Sequence, residues 1–361
     1  MKWWDLPGPS RFVSSIADDL REGMNVLVGC PAYTPAGLRQ SILLEFGKGE
    51  FHVIRAGTAN PTDLLFQHFV PDVGGSVLHD IATFLEHIDR RSRVVWVENI
   101  SAETWPAWDS FLREYQHACG EVPVLARTLF SVLLGPTSTQ VLANNEVRLS
   151  AHRYDGYVNA LDALLYASLA FSQNNLSSIE KDIAISVIAR IGLWDPDLIQ
   201  RLIVEPLHVI LDPSLVLREV AQERSWEGAP SWAAGSLAKF GDTELTHSAA
   251  LGPKSTELAT RIWSAEVGVV LPRIEELRQK FLSRYSSRFR MPYKTRFGQV
   301  IDDVRDLEIG HICDQLQTIS ASSEDRFAVD RLTKMRNRLA HLEPLDPVLL
   351  QGFRSAAIVG F

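Results

Sequence analysis

The stretch Met24-Asn-Val-Leu-Val-Gly29, followed by Cys30-Pro-Ala-Tyr-Thr-Pro-Ala-Gly37, decides the fold of the first part of this chain. Met24 to Gly29 is a short apolar run bounded by turn residues, which predicts a buried strand. The segment after it contains two prolines and a glycine, which predicts a loop, and the residues from Leu38 to Phe46 then predict a helix. Strand, loop and helix in this order are the setting of a phosphate-binding loop.

The same alternation continues along the first 150 residues. Further strands are predicted at Phe51–Arg55, at Arg93–Asn99, and at either Val122–Ala126 or the more apolar Leu129–Gly135. Helices are predicted between them, at Ser76–Ile88 and Trp105–His117. Strands that alternate with helices favour a mostly parallel, doubly wound sheet, so we predict an α/β domain over residues 1–150.

This order resembles that of P-loop NTPases of the AAA+ or STAND kind. Gly29 is at the position that opens their phosphate loop. Val94-Val-Trp-Val-Glu98-Asn99 resembles the strand that carries their magnesium-binding and catalytic acids, and Leu129–Gly135 resembles the sensor strand that follows. The resemblance implies a nucleotide-binding fold for this part of the chain.

The loop departs from the P-loop pattern where the chemistry of that pattern lies. Thr34, Pro35 and Ala36 stand where it requires glycine, lysine and a hydroxyl residue, so the phosphate-neutralising lysine and the Mg²⁺-binding hydroxyl are both missing. Pro31 and Pro35 each remove a backbone N–H that the loop would direct at phosphate. We interpret the domain as a degenerate nucleotide-binding fold that does not hydrolyse ATP, and we predict no cofactor. The remnant of the nucleotide site would be Gly29, Arg39 and Glu98.

The rest of the chain is predicted to be mainly helical. Residues 151–227 follow the α/β domain as a helical, lid-like region, a placement supported by order alone. Residues 228–254 are rich in Gly, Ser, Ala and Pro and predict an extended connector. Residues 255–361 predict a helical domain, with helices at Ser255–Tyr285, Phe297–Ile319 and Glu324–Leu342.

The stretch Arg336-Asn-Arg-Leu-Ala-His341 places an arginine, an amide and a histidine at the expected end of the last of these helices. Successive helical residues are rotated by about 100°, so Asn337 and His341 share one face. Arg336 points well round the helix, and it can share a site with His341 only through its long side chain or by meeting the same segment of a second subunit. Pro344 ends the helix close to His341. An imidazole there can act as general base or acid, and an arginine can brace a phosphate.

This segment resembles the Arg-x4-6-His motif of the HEPN superfamily, and Leu342-Glu-Pro-Leu345 resembles the ending found in abortive-infection-like members. Upstream, Asp306–Ile312 is similar to the preceding helix of such domains. The resemblance implies a compact helical domain that pairs with a second copy. In catalytic members two such motifs face each other and form a metal-independent endoribonuclease site, which would make Arg336, Asn337 and His341 the catalytic residues.

Two functions follow from these resemblances. In the first, the chain is a ribonuclease effector of a prokaryotic defence or toxin system, acting as a homodimer or with other defence proteins. In the second, it is a non-catalytic adaptor, in which a dead NTPase-like module and a HEPN-like dimerisation module organise a larger complex. The lost P-loop lysine supports the adaptor, and the intact Arg-Asn-x3-His pattern supports the nuclease. The same cations could also merely complement the helix end.

Composition excludes a general nucleic-acid coat but leaves room for a local basic site. The net charge is −8 and the pI is about 5.7, whereas a nucleic-acid coat needs a basic surface. Four cations nevertheless alternate with aromatic residues and could bind single-stranded RNA by charge and stacking: Arg284, Arg288, Arg290 and Lys294. The alternative is a solvated helix end and loop.

The remaining features predict a cytoplasmic protein. The three cysteines, Cys30, Cys119 and Cys313, are widely spaced and show no metal-ligand pairing, so we predict reduced thiols and no metal site. The N-terminal residues have no apolar signal core, and no window has the length of a membrane span.

Overall fold

The computed structural model describes residues 2–47, 50–70, 78–88, 93–120, 123, 126–135, 149–173, 175–226, 228–252, 255–350 and 353. Its helices are, in chain order, α1 (Pro7–Arg21), α2 (Leu38–Phe46), α3 (Pro61–Phe69), α4 (Ile81–His87), α5 (Trp105–Cys119), α6 (Ala160–Ala170), α7 (Ser178–Gly192), α8 (Pro196–Ile203), α9 (Leu207–Leu211), α10 (Ser214–Glu223), α11 (Thr256–Tyr285), α12 (Ile309–Leu316) and α13 (Ser323–Ala340). Its strands are β1 (Asn25–Gly29), β2 (Glu50–Arg55), β3 (Arg93–Ile100), β4 (Thr128–Leu134), β5 (Leu149–Arg153), β6 (Leu237–Phe240), β7 (Thr243–Thr246), β8 (Tyr293–Lys294) and β9 (Val300–Ile301). None of the helices in the described ranges has the length and apolar character that a membrane crossing requires.

The first five strands form one parallel sheet in the order β2-β3-β4-β1-β5. β1 is buried along its whole length, as expected for an inner strand of a parallel sheet. β4 separates β1, which leads into the loop, from β3, which carries Glu98. This α/β arrangement is P-loop-like and confirms the predicted sheet. Of the two alternatives for β4, Leu129–Gly135 is correct, and Val122–Ala126 lies mostly outside the described residues.

An aromatic cluster fixes α5 against β4. The ring centroids of Phe111 and Phe130 are 5.3 Å apart, and those of Tyr115 and Phe130 are 5.0 Å apart. The Tyr115 hydroxyl donates to the Thr128 carbonyl at 2.9 Å, so the buried phenol has a partner. These contacts fix the amino-terminal half of β4, and the carboxyl end of the same strand borders the loop cavity described below.

α11 is the central helix of the C-terminal region. It runs for 30 residues and packs against α7, α12 and α13. Its buried apolar residues recur at helical spacing: Leu258, Ile262, Ala265, Val270, Ile274, Leu277 and Phe281. The predicted helical C-terminal region is therefore confirmed.

The predicted helix over Phe297–Ile319 is wrong in its first half. The chain there forms the antiparallel β8–β9 hairpin, and the α-helix begins only at Ile309. Gly298 has a φ of 84°, a left-handed conformation that a right-handed helix excludes. The Thr295 carbonyl accepts the Gly298 N–H at 3.0 Å and closes a turn in place of a helical bond.

The chain divides into two compact units, residues 1–162 with 226–247, and residues 163–225 with 248–361. This division differs from the four predicted segments. The predicted connector, 228–254, contains the antiparallel β6–β7 hairpin and contributes mainly to the first unit. There the Lys239 N–H donates to the Asp155 carboxylate at 2.7 Å and the Gly241 N–H to the Val158 carbonyl at 2.8 Å. These bonds give the backbone of a Gly- and Ser-rich segment the partners that an extended connector would take from water.

Candidate functional site

The segment Arg336–His341 forms the C-terminal end of α13. The His341 N–H still bonds to the Asn337 carbonyl at 3.1 Å, so His341 caps the helix. Leu342 has a φ of 62°, which turns the chain out of the helix before Pro344. The imidazole therefore lies at the negative end of the helix dipole.

Asn337 and His341 lie together on the solvent face of α13. Both residues are exposed, one turn apart. The imidazole of His341 has no hydrogen-bond partner in the described part of the chain. Asn337 Oδ1 lies 3.5 Å from Arg336 Nη1, at the limit of a hydrogen bond. Both side chains are thus available to a molecule outside this chain.

Arg336 points to a different side of the helix, as its five-residue spacing from His341 predicts. Its Nη2 donates to Glu308 Oε2 at 2.9 Å. Both residues line a cavity of about 510 Å³ between α11, α12 and α13, together with Glu275, Arg278 and other residues. His341 is not among the residues that line it. Arg336 and His341 therefore do not share this cavity.

Two side chains of α11 hold the end of α13 and the turn after it. The Trp263 indole donates to the Leu339 carbonyl at 2.8 Å, which satisfies a carbonyl at the helix end. Glu266 accepts the Leu345 N–H at 2.8 Å. Glu266 is fully buried, and burial raises the pKa of its carboxyl to about 8, against a smaller opposing effect of the Leu345 bond.

Neither α11 residue was identified from the sequence. Glu266 falls on the apolar face of a long amphipathic helix, where a carboxylate is unusual unless it has a partner. That position was the available signal, whereas its partner, a backbone N–H, cannot be read from residue types. Glu308 was not identified either, because its ion pair with Arg336 depends on how α12 and α13 pack.

In the first unit, the loop from Cys30 to Gly37 borders a cavity of about 440 Å³ at the carboxyl ends of the strands. Of the three predicted remnant residues, Arg39 and Glu98 line this cavity and Gly29 does not. A register shift follows Val97 in β3, and Asn99 adopts a left-handed φ of 64°, so the strand turns sharply just after Glu98. The structure thus brings two of the three residues together.

Glu98 lies between two arginines. Its Oε2 is 3.6 Å from Arg39 Nη1, and its Oε1 is 3.2 Å from Arg55 Nε on the neighbouring strand. Arg39 is the cation that a phosphate would meet on entering the cavity, and Glu98 already partly neutralises it. In the described ranges no group of three or more His, Cys, Asp or Glu side chains could hold a metal ion.

The loop is held by bonds to the protein itself. The Ala32 N–H donates to the Ala233 carbonyl at 2.9 Å, the Trp4 indole to the Ala36 carbonyl at 2.9 Å, and the Thr34 hydroxyl to the Pro31 carbonyl at 2.7 Å. A phosphate loop instead directs free N–H groups towards its ligand. Burial raises the pKa of the loop thiol, Cys30, to about 12, so the thiol is neutral.

The predicted basic patch is divided between paired and solvent-facing cations. Arg284 lies 3.6 Å from the buried carboxylate of Asp325, and Arg288 donates to the Ser320 carbonyl at 2.9 Å. Arg290 and Lys294 are exposed. The aromatic residues between them are also divided, since Tyr285 and Phe289 are buried, Tyr293 is half-buried and Phe297 is exposed.

Comparison with known proteins adds no family to this description. A search of protein families finds no match, and neither does a search of curated proteins. Among solved structures, the chain is similar to a RuvB variant of Thermotoga maritima, with 11% identity, a TM-score of 0.32, and 88% of this chain and 83% of that one covered. It is also similar to a STAND protein with a tetratricopeptide repeat sensor from Pyrococcus horikoshii, with 10% identity, a TM-score of 0.31, and 96% of this chain and 57% of that one covered. At these scores the fold assignment rests on the strand order and the parallel pairing described above.

Proposed function

We propose that this chain is a HEPN-like endoribonuclease of a prokaryotic defence or toxin system, whose site forms when two copies bring their Arg336–His341 segments together. The observation that supports the proposal is the exposed pair of Asn337 and His341, which lie one turn apart at the end of α13. Arg336 lies on another side of the same helix end. A second copy could therefore place its Arg336 beside Asn337 and His341 of the first.

The chemistry follows from the groups available. His341 of one copy would remove the proton of an RNA 2′-hydroxyl, which attacks the adjacent phosphorus, and a protonated His341 would return a proton to the leaving 5′-oxygen. Arg336 would stabilise the charge that develops on the phosphate through paired N–H bonds, and Asn337 would orient the imidazole. The products would be a 2′,3′-cyclic phosphate and a 5′-hydroxyl, with no metal required.

The test compares the wild type with His341→Ala and Arg336→Ala on single-stranded and structured RNA in the presence of a chelator. His341→Ala should lose between about a hundred-fold and about ten thousand-fold of the cleavage rate, the typical contribution of a general acid–base group. Arg336→Ala should lose between about a hundred-fold and about a thousand-fold, the typical contribution of one group that stabilises developing charge. Arg331→Ala is the matched control, because Arg331 is on the same helix and its guanidinium lies over Phe327. Equal, negligible cleavage by wild type and His341→Ala, with a stable partner co-purifying, would refute the nuclease.

A non-catalytic adaptor is the second candidate, and the loop of the first unit favours it. The Ala32 N–H is bonded to the Ala233 carbonyl and Arg39 lies 3.6 Å from Glu98, so one loop N–H and the cation of the cavity are already engaged. An adaptor would bind no ATP, would leave RNA intact, and would co-purify with a stable protein partner. ATP hydrolysis by the wild type that is lost in Glu98→Gln would exclude this candidate.

A further inference from the structure

The tip of the β8–β9 hairpin presents an aromatic side chain to solvent. Phe297 is 99% exposed, more than any other large hydrophobic residue in the described ranges. Isolated exposed apolar residues are common on protein surfaces, so this exposure alone identifies no site. Phe297 differs from the other exposed hydrophobic residues because it lies in a turn that is fixed by hydrogen bonds.

Thr295 makes the hydrogen bonds that fix this turn. It is buried, its N–H donates to the Gln299 carbonyl at 2.8 Å, and its carbonyl accepts the Gly298 N–H at 3.0 Å. Its hydroxyl also accepts the Gln299 N–H at 3.1 Å. Arg296 and Phe297 therefore occupy the two central positions of a hydrogen-bonded turn. The Phe297 ring is therefore attached to a turn that hydrogen bonds from Thr295 to Gly298 and Gln299 hold in one conformation.

The hairpin is tied to α12 by two neighbouring side chains. Asp314 accepts from the Tyr293 hydroxyl at 3.2 Å and from Arg296 at 3.0 Å. Gln315 is buried and bonds to the backbone of Arg290 in both directions, accepting its N–H at 2.8 Å and donating to its carbonyl at 3.4 Å. The strand that leads into the tip is thus fixed on a helix, which lowers the entropy that the tip would lose on binding a ligand.

Charge selects the kind of ligand. Residues 286–301 contain no acidic residue and four cations, Arg288, Arg290, Lys294 and Arg296, in a chain whose net charge is −8. A partner with an apolar pocket would use Phe297 but would have no need of the cations around it. Single-stranded nucleic acid uses both, because its bases stack on aromatic rings and its phosphates bind Arg and Lys.

We propose that this hairpin binds single-stranded RNA, with a base stacked on Phe297 and phosphates bound by Arg290 and Lys294, while Arg296 stays paired with Asp314. The surface would be the place where the proposed ribonuclease holds its substrate, and in that respect the inference rests on the proposed function. Binding itself does not depend on cleavage, so the two can fail separately.

Binding is measured in the His341→Ala background, so that the RNA stays intact. The probe is a fluorescein-labelled single strand of about 12 nucleotides, within the usual site size, and the readout is anisotropy. Phe297→Ala should weaken binding between about 5-fold and about 150-fold, the value of one stacked base, and Phe297→Trp should restore it. Phe327→Ala removes another exposed phenylalanine, one that is 40% exposed on α13, and should leave the affinity unchanged.

Salt dependence separates stacking from charge. Arg290→Ala and Lys294→Ala should each reduce the slope of log affinity against log salt by about 0.7, the value for one phosphate on a single strand. Phe297→Ala should lower the affinity without changing that slope. Since Phe297 is fully exposed, its replacement should also leave the melting temperature unchanged.

The inference is overturned if Phe297→Ala binds as tightly as its parent, or if a duplex of the same sequence binds as well as the single strand. It is also overturned if Phe297 proves necessary only for a protein partner or for anionic vesicles. Cleavage by the wild type that is unaffected by Phe297→Ala would refute the RNA surface and leave the nuclease intact. RNA binding that depends on Phe297, with no cleavage by wild type or His341→Ala, would support the RNA surface and refute the nuclease.

Discussion

Arg336 is held by an acid before any phosphate reaches it. Its guanidinium pairs with Glu308 at 2.9 Å, and the two side chains are 42% and 61% exposed. RNA must therefore compete with Glu308 for this cation. We predict that Glu308→Gln raises the cleavage rate at low RNA concentration by at most about five-fold, because exposed ion pairs contribute about 0–1 kcal/mol. Steady-state kinetics on single-stranded RNA would measure the change.

Glutamine is the appropriate replacement because Glu308 also caps α12, and its amide oxygen can still accept the capping N–H. Glu343→Gln is the control, since Glu343 is an exposed acid 3.8 Å from Arg338 and has no contact with Arg336 in the described chain. Slower cleavage by Glu308→Gln would mean that Glu308 positions Arg336 for the reaction and does not compete with RNA.

Glu266 makes the stability of the C-terminal region depend on pH. The carboxyl has a pKa of about 8 in the fold and an ordinary value of 4.5. As pH rises above about 4.5, the unfolded chain loses this proton first while the folded chain keeps it, so unfolding becomes more favourable. The stability contributed by the neutral form is complete below about pH 4.5 and is lost progressively up to about pH 8.

We predict that Glu266→Gln removes this dependence. Its amide oxygen can still accept the Leu345 N–H, but it has no proton to lose. The variant should gain stability relative to wild type between about pH 5 and about pH 8.5, by at most about 5 kcal/mol. Urea unfolding of wild type and Glu266→Gln at these two pH values measures the difference in their free energies of unfolding. A constant difference across this range would show that Glu266 is ionised throughout.

At the scale of the element, α13 depends on its N-cap. The Ser322 hydroxyl accepts the Asp325 N–H at 3.0 Å, and helix caps of this kind contribute about 1 kcal/mol. We predict that Ser322→Ala lowers the free energy of unfolding by about that amount and that Ser323→Ala, one residue inside the helix, changes it little. Denaturant unfolding of both variants gives the comparison. Equal effects would mean that the loss comes from general serine replacement and not from the cap.

Elements were predictable where one local signal dominates. The apolar run of β1 and the helical periodicity of α2 and α11 were sufficient, since sheet burial and helix amphipathicity follow directly from them. α3 was missed although Asn60 caps it and Pro61 opens it, because its nine residues carry a short periodic pattern. The predicted helix over Phe297–Ile319 is too long because Gly298 adopts a left-handed φ, a local break that apolar spacing does not reveal.

The candidate site was predictable only in part. Helical geometry alone placed Asn337 beside His341 and turned Arg336 away, and the chain bears out that arrangement. Helical geometry could not predict that Glu308 pairs with Arg336 or that Glu266 accepts the Leu345 N–H. Both bonds join residues that are far apart in sequence and meet only through the packing of helices. Long-range polar pairs depend on tertiary geometry, which residue types and spacing do not specify.

At the scale of the whole molecule, the charge distribution restricts where RNA can bind. A net charge of −8 repels a polyanion at long range, while residues 286–301 carry cations and no acid. Screening shortens that repulsion to about 8 Å at physiological salt, so the local cations dominate once the strand is close. RNA binding should therefore be selective for this segment and not spread over the surface.

A site shared by two copies should be restored when two different inactive variants are combined in one dimer. If Arg336 of one copy acts with His341 of the other, a dimer that combines Arg336→Ala with His341→Ala keeps one of its two Arg–His pairings intact. Random exchange would make half of the dimers hybrids, so a mixture of the two inactive variants should recover about a quarter of wild-type activity. Cleavage is assayed before and after the variants are unfolded and refolded together. Mixing each variant with the double variant is the control and should recover nothing. No recovery in the hybrid, from proteins that exchange subunits freely, would mean that Arg336 and His341 act within one chain or that the site needs both pairings at once.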